Sequence, residues 1–231
     1  MSEGLARAYV LGRRDFRESS LIVDLLVEDA GRVDAVARGA RHRHGAALQP
    51  FSPLLVGFRG RGDLKTLVTF ESAGPPVRLG ERALYCGFYL NELLVRCLTR
   101  EDPTAGLFES YAGTLDALAG AGPADLEPAL RRFEFRLLEL LGYGLNLDHA
   151  SDTGAALEDG TAYVVPLEGV FETRPSQPHI AAPVALLAAI VRREFEAAEV
   201  RTLAKRIARA EVDALLGGRT LKSRELFAVR R

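Results

Sequence analysis

Tryptophan is absent from this 231-residue chain, methionine occurs once, and there are only two cysteines, Cys86 and Cys97. Two cysteines cannot build a disulfide scaffold. On one predicted helix these two would lie roughly 16 Å apart, too far to pair or to share a metal. No apolar run approaches the ~20 residues of a membrane-spanning helix, and the first residues lack the apolar core of a signal peptide. These absences predict a cytoplasmic protein without a membrane association.

The common signatures of catalysis are also missing. Residues 217–223 contain a Lys-Ser pair after two glycines but lack the spacing of a phosphate-binding loop, and the glycines of residues 57–63 are in the wrong order for a dinucleotide fingerprint. There is no GxSxG or HExxH motif. The four histidines form no ligand cluster with the cysteines. We therefore expect no catalytic residues, no cofactor, no metal ligands and no enzymatic activity.

Charge is distributed unevenly, although the whole chain has a net charge of only −1. Residues 1–80 contain 12 Lys/Arg and 9 Asp/Glu, residues 81–191 contain 7 and 16, and residues 192–231 contain 11 and 6. The two ends are therefore basic, at +3 and +5, and the middle is acidic, at −9. This asymmetry favours a polyanionic partner for the ends of the chain.

The first ~72 residues have the pattern of short β-strands. In the second strand, alternate positions are apolar and should face a core: Leu21, Val23, Leu25 and Val27. Turn-like residues connect the strands, and the longest connection, residues 41–53, follows the third. Five strands with this spacing predict a small closed barrel, the five-stranded OB-fold, which often binds oligonucleotides. The five predicted strands are residues 6–11, 20–28, 32–39, 54–60 and 64–71.

The remainder of the chain is predicted to be mainly helical, which gives an α+β multidomain protein. Gly74-Pro75-Pro76 ends the strand pattern, so we predict domains at residues 1–78 and 79–231. Asp102-Pro103 has the sequence of a helix start. A loop-rich insert with a short hairpin is expected at about 145–180. The predicted helices are residues 81–100, 102–118 and 123–142, which should pack as a bundle, and residues 183–198 and 202–216.

Cations cluster where the barrel should have loops, and again near the end of the chain. Residues 38–44 alone contain three arginines and two histidines without an acid. Such cations would neutralise phosphates in a salt-dependent, sequence-independent way. The candidate DNA-binding residues at the barrel are Arg13, Arg14, Arg17, Arg38, Arg41, His42, Arg43, Arg59, Arg61 and Lys65. Those on the last helix and after it are Arg201, Lys205, Arg206, Arg209, Lys222 and Arg224.

Several other interpretations of these cations stay open. They could form an ordinary solvated surface, and those on the last helix could pair with neighbouring acids. An RNA-binding OB-fold protein of translation or RNA processing would have similar groove chemistry. A nuclease that binds metal only in its complex, or a protein-only scaffold, would be distinguished by magnesium-dependent cleavage or by the lack of nucleic-acid binding.

Several separated motifs resemble the RecO family of bacterial recombination and repair proteins. They are YVLGRRDFRESSLIVDLLVEDAGRVDAVARGARH, LQPF, YLNELL, LFESYAGTLDALAG, LRRFEFRLLELLGYGLNLD and the closing GGRTLKSRELF. The resemblance implies an N-terminal OB-fold followed by a helical domain and a non-enzymatic, nucleoid-associated role. It implies binding of single- and double-stranded DNA, annealing of complementary strands, and association with RecR. It also implies help in loading RecA onto DNA coated by the single-stranded DNA-binding protein, whose acidic C-terminal tail the family contacts.

The sequence departs from that family where many members carry a four-cysteine zinc motif. Ala150 and Thr153 stand where the first cysteine pair would be, and residues 169–177 contain no second pair. Without thiolates we expect no structural zinc, and we expect this degenerate zinc-finger-like segment to be held by packing. For the partner tail, the candidate cations of the acidic region are Arg96, Arg100, Arg131 and Arg132, with intrahelical pairing of these arginines as the alternative.

Overall fold

The computed structural model describes residues 4–43 and 45–227. It divides into two compact units. The first unit consists of two chain segments, the one that ends at Ala121 and the one that begins at Leu221. The second unit is Gly122–Thr220. None of the helices in the described ranges combines the length and apolar character that a membrane crossing requires.

The first unit contains the closed five-stranded barrel that the sequence predicted. Its strands follow one another in the order β1-β2-β3-β5-β4, and β1 pairs with β4 to close the sheet. The β3–β5 pair is parallel and the others are antiparallel. This confirms the predicted OB-fold. The strands are β1 (Ala6–Phe16), β2 (Ser20–Val27), β3 (Gly31–Ala37), β4 (Pro53–Arg59) and β5 (Leu64–Ser72), and α1 (Ala40–Arg43) lies between β3 and β4.

The alternation predicted for β2 holds in the barrel interior. Leu21, Val23, Leu25 and Val27 all belong to the barrel core and are at most 3% exposed. Strand β1 is longer than predicted and runs to Phe16, so that Arg13 and Arg14 lie in the strand. Its register against β2 shifts between Val10 and Gly12, which marks a β-bulge.

The first unit also contains two longer helices, α2 (Glu81–Cys97) and α3 (Leu107–Gly120). The prediction that a helix begins at Asp102-Pro103 was wrong, because the preceding backbone is held by β3. The amide of Glu101 donates a 2.8 Å hydrogen bond to the carbonyl of Arg32. Next to it, a Cβ added to Gly31 would lie 2.3 Å from the carbonyl oxygen of Asp102. The segment is therefore not helical, and the helix begins only after Gly106, whose φ is 78°.

The second unit combines three helices with a small antiparallel sheet of strand order β7-β6-β8. The hairpin predicted in the insert is present as β6 and β7, whereas β8 was not predicted. A second hydrophobic core joins the sheet to the helices. The elements are α4 (Leu126–Leu140), β6 (Thr161–Val165), β7 (Gly169–Phe171), β8 (Ile180–Pro183), α5 (Val184–Val191) and α6 (Ala198–Leu215).

The grouping of the helices differs from the predicted three-helix bundle. Helix α4 packs against α6 in the second unit, while α2 and α3 belong to the first unit with the barrel. The compact units thus divide the chain at Ala121 and Thr220. That residues 1–78 form a domain of their own stays a prediction.

Candidate nucleic-acid interface

An open groove of about 730 Å³ runs along one side of the barrel. Three segments that are distant in sequence form it: the β1–β2 turn, the end of β3 and the start of β5. The parallel pairing of β3 with β5 brings Val36 directly opposite Thr66, and so joins the last two segments. The lining residues are Phe16, Arg17, Glu18, Ser19, Ser20, Val36, Arg38, Gly39, Leu64, Lys65 and Thr66.

The groove has a positive charge balance. Arg17 and Arg38 are exposed, and among the described residues neither side chain forms an ion pair. The Lys65 ammonium, by contrast, lies 2.7 Å from the Glu101 carboxylate and is largely covered. Glu18 is the single acid among the lining residues. Two of the three predicted groove cations are therefore open to an anionic ligand.

Arg17 has an unusual backbone. Its φ of 54° lies in the left-handed region, which glycine and asparagine adopt more readily than arginine. Its guanidinium carbon lies 5.1 Å from the centroid of the Phe16 ring, in cation–π geometry. The turn thus presents a planar cation that is supported by an aromatic ring.

Two further predicted cations lie near this groove. Arg59 is the β4 residue directly opposite Thr66 of the groove wall, and Arg61 follows in the turn between β4 and β5. Both are exposed, and neither has an ion-pair partner among residues 4–43 and 45–227. They extend the positive surface that begins with Arg17 and Arg38.

Two of the predicted cations, Arg13 and Arg41, are already engaged within the barrel. Arg13 donates a hydrogen bond to the carbonyl of Gly45. The Arg41 guanidinium lies 2.9 Å from the Asp15 carboxylate, and both side chains are largely exposed. Exposed pairs of this kind contribute little and are readily exchanged for another anion. The side chains of His42 and Arg43 lie outside the described part of the chain, as does His44.

Arg14 extends toward a pair of buried carboxylates. It lies 3.4 Å from Asp24, which is directly opposite Asp34 in the β2–β3 ladder. Burial, together with a hydrogen bond to Asp34, raises the pKa of Asp24 to about 6. Burial also acts to raise the pKa of Asp34, but the hydrogen bond from Asp24 and the nearby Arg32 and Arg100 lower it overall. Below about pH 6 the pair therefore carries one proton, held on Asp24, so that two like charges do not face each other.

The basic face predicted on α6 is largely engaged within the second unit. Arg201 donates to the carbonyls of Phe195 and Glu196, and the Lys205 ammonium lies 3.2 Å from the Glu127 carboxylate. Arg206 donates a long, 3.4 Å hydrogen bond to the carbonyl of Ala181. Of the four predicted cations on α6, Arg209 is the one that is exposed without a hydrogen-bond or ion-pair partner among the described residues. This face is a weaker candidate for phosphate contacts than the barrel groove.

The last two predicted cations belong to the first unit. A short 3₁₀-helix, Lys222–Phe227, contains both Lys222 and Arg224. The Glu92 carboxylate accepts hydrogen bonds from the amides of Lys222, at 3.1 Å, and Ser223, at 2.7 Å. The Lys222 side chain is exposed and Arg224 is half-buried. The C-terminal segment is therefore fixed to α2 with one cation facing solvent.

The four arginines proposed for the partner tail have different environments. Arg131 is 5% exposed and lies 2.9 Å from the buried Glu134, so it is not part of a solvent-facing surface. Arg100 binds Asp34 at 2.7 Å, and Arg132 lies 3.2 Å from Glu196. Arg96 is only 3.9 Å from Glu92 in a loose intrahelical pair. Arg131 therefore cannot bind the partner tail in this structure, because the Arg131 guanidinium is turned away from solvent.

Hydrogen bonds donated to one carboxylate hold the segment in which zinc ligands were expected to be missing. Asp152 accepts from the amides of Glu172 and Thr173, each at 2.9 Å, and from the Thr173 hydroxyl. Nearby, the Thr153 hydroxyl donates a 2.8 Å hydrogen bond to the Glu172 carboxylate. The prediction that packing alone holds this segment was therefore incomplete. No cluster of three or more potential metal ligands occurs within residues 4–43 and 45–227.

A closed five-stranded barrel of this topology, followed by helices, defines an OB-fold protein, and comparison with known proteins defines the family. Residues 1–75 match the model described as Recombination protein O N terminal, and residues 82–225 match Recombination protein O C terminal. The chain belongs to the RecO family of DNA repair and recombination proteins.

Relatives from several bacteria, each named DNA repair protein RecO, are similar along their whole length. The protein of Methylococcus capsulatus is 46% identical over 96% of this chain and 92% of its own. That of Cellvibrio japonicus is 44% identical over 98% of both chains. That of Pseudomonas aeruginosa is 44% identical over 100% of this chain and 98% of its own.

Proposed function

We propose that this chain is a DNA-binding recombination mediator. It binds single- and double-stranded DNA at the barrel, anneals complementary strands, and with RecR helps to load RecA onto DNA coated by the single-stranded DNA-binding protein. The observation that carries the DNA-binding part is the groove in which Arg17 and Arg38 have no internal counterion among the described residues. Membership of a DNA repair family supports DNA as the polyanion.

The proposed mechanism of annealing is electrostatic. Two complementary strands repel each other, and a basic surface that holds one strand lowers the barrier to approach of the second. Arg17 and Arg38 in the groove, with Arg59 and Arg61 beside it, supply this surface without any bond chemistry. We propose accordingly that the protein is not an enzyme. Labelled DNA incubated with the protein and magnesium should remain uncut.

The first test is strand annealing, followed by fluorescence transfer between two complementary labelled oligonucleotides. The double variant Arg17→Gln/Arg38→Gln should anneal more slowly than the unmodified protein. For single strands, the slope of the logarithm of the binding constant against the logarithm of the salt concentration should become less steep by about 0.7 for each phosphate that is no longer neutralised. The matched control is Arg192→Gln, which removes an exposed arginine that is paired with Glu194 outside the barrel. Unchanged annealing and unchanged slope in the double variant would reject the groove as the DNA site.

The mediator role is tested by repeating the assay on strands coated with the cognate single-stranded DNA-binding protein. Acceleration on naked strands alone would support annealing but not mediation. For the partner tail we propose Arg96 as the contact, since its pairing with Glu92 is loose and its side chain is 37% exposed. The exposed Phe88 lies on the same helix and would supply apolar contact. Titration of a tail peptide against Arg96→Gln should give weaker binding, and unchanged affinity would exclude this surface.

A further inference from the structure

We infer that the Arg17 guanidinium, supported by the Phe16 ring, is a stacking surface for one unpaired nucleobase. This inference rests on the proposed DNA-binding function and assigns the β1–β2 turn a role beyond neutralising phosphates. It implies that the groove distinguishes unpaired from paired DNA by stacking at this position, whereas Arg38 contributes charge alone.

The backbone of Arg17 is the first argument. A left-handed φ of 54° costs free energy for a residue that has a Cβ, and glycine would adopt it without that cost. Strained residues of this kind occur often at ligand sites, where the side chain is needed in that position. The turn spans only three residues between Phe16 and Ser20, which pair with each other. It therefore fixes the direction in which the Arg17 side chain leaves the backbone, at the wall of the groove.

The contact between Arg17 and Phe16 is the second argument. A guanidinium is planar and weakly hydrated, and it stacks on aromatic faces, which an ammonium group does not do in the same way. At 5.1 Å from the ring centroid, Arg17 lies over Phe16 while its side chain stays exposed to the groove. A base that stacks here would meet a surface whose orientation is already restricted. This reduces the ordering cost of binding.

The remaining lining suits one nucleotide rather than a duplex. Val36 and the 44% exposed Leu64 offer apolar contact, and Ser19 and Thr66 offer hydroxyls. Arg38 is available for the adjoining phosphate. In a duplex, both faces of each base are covered by its neighbours, so that a paired base cannot stack on a side chain without being extruded. Stacking on Arg17 is therefore restricted to unpaired DNA.

The test uses three probes with the full-length protein at low salt: a labelled thymidine oligonucleotide, the same strand with abasic sites in place of its thymines, and a duplex of equal length. Base–aromatic stacking corresponds to a change of about 5- to 150-fold in affinity per base. The unmodified protein should bind the thymidine strand at least about fivefold more tightly than the abasic strand. In Arg17→Lys this preference should disappear, while duplex affinity stays within about twofold, since lysine retains the charge.

Two matched variants separate stacking from folding and from charge. Arg17→Gly removes the left-handed cost, so its thermal midpoint should equal or exceed that of the unmodified protein while the preference for thymines is lost. Arg38→Lys should retain the preference. Equal binding of thymidine and abasic strands by the unmodified protein, or a retained preference in Arg17→Lys, would overturn the inference and leave the proposed function in place. If none of the three probes binds, the proposed function itself fails.

Discussion

The side-chain amide of Asn91, which is 3% exposed in α2, donates a 2.7 Å hydrogen bond to the carbonyl oxygen of Leu11 in β1. Leu11 lies at the bulge where the register of β1 shifts. The hydroxyl of Tyr111 in α3 donates a 2.6 Å hydrogen bond to the Asn91 carbonyl oxygen and so fixes the amide. A buried polar chain therefore connects two helices to the irregular point of the strand that carries Arg13 and Arg14.

Replacement of Tyr111 by phenylalanine should lower the free energy of unfolding by about 1–3 kcal/mol, because it leaves the buried Asn91 oxygen without its donor. Urea unfolding measures the change. Tyr85→Phe is the matched control in the same unit, since Tyr85 is only half-buried and should lose little. A decrease in Tyr111→Phe no larger than in the control would mean that the hydrogen bond makes no net contribution.

The Asp15 carboxylate lies 2.9 Å from the Arg41 guanidinium, so at a DNA site it would compete with phosphates for this cation. If the proposed function holds, Asp15→Asn should bind single-stranded DNA about two- to fivefold more tightly at low salt, since the pair that DNA must replace is gone. The gain should shrink as salt screens the added positive charge. Fluorescence anisotropy at two salt concentrations measures both effects. An unchanged affinity at low salt would place Arg41 outside the DNA path.

The pair Asp24 and Asp34 predicts a dependence of stability on pH. Because the folded protein raises the pKa of Asp24 to about 6, it holds a proton on this carboxyl that the unfolded chain releases near pH 4. The contribution of Asp24 to the free energy of unfolding is therefore at its maximum below about pH 4 and is lost as pH rises to about 6. The lowered pKa of Asp34 acts at lower pH and leaves this window unaffected.

Asp24→Asn should remove that dependence. Between pH 4 and pH 7, the unmodified protein should lose about 1–2 kcal/mol of unfolding free energy relative to the variant. The difference in slope is informative even if the substituted amide interacts more weakly with Arg14 and Arg32, since such a weakening shifts stability at every pH. Parallel profiles for the two proteins would contradict the proton held on Asp24.

The Asp152 carboxylate should be the main contact that holds the segment around residue 152 against the segment around Glu172 and Thr173. Its pKa is held well below the usual range, first by the Thr173 hydroxyl and then by the amide of Glu172. The stabilisation is thus present above about pH 4 and is lost as pH falls further. Asp152→Ala should lower the thermal midpoint by a few degrees at pH 7 and by less at pH 3. The exposed Asp148 is the control, because Asp148→Ala should have little effect at either pH.

Zinc should have no part in this segment, since Ala150 and Thr153 supply no thiolate and Asp152 already accepts three hydrogen bonds. Protein purified without a histidine tag should contain much less than one zinc per chain by mass spectrometry of metals. A chelator should leave its thermal midpoint unchanged. Stoichiometric zinc that survives dialysis would show that the insert has a metal site after all.

The sequence was sufficient for the barrel because strand alternation is a local property, visible in positions such as Leu21 and Val23. It was insufficient where a distant segment decides the outcome. Asp102-Pro103 is a good helix start locally, yet the amide of the preceding Glu101 is bound to the carbonyl of Arg32 in β3, and Glu101 has a left-handed φ of 55°. The contact pattern of α4 with α6 likewise depends on which apolar faces meet, and periodicity does not contain that information.

The candidate site divides in the same way. Composition identified the cations around the β1–β2 turn, and the groove brings Arg17, Arg38 and Lys65 together. The acids that neutralise some of the predicted cations were not apparent, because Asp15 and Glu101 are distant in sequence from Arg41 and Lys65. Burial of Arg131 was equally hidden, since an arginine near an acid on a helix is usually solvated.

Glu92 receives its two amide donors from Lys222 and Ser223, at the far end of the chain. During synthesis, residues up to Ala121 leave the ribosome long before those donors exist, and the whole of Gly122–Thr220 must be made in between. For a period during synthesis, therefore, the barrel of the first unit can close while the Glu92 carboxylate is hydrated and lacks these two donors. A chain that ends just before Leu221 would contain all of Gly122–Thr220 but would lack the amides that donate to Glu92, so its first unit would be incomplete.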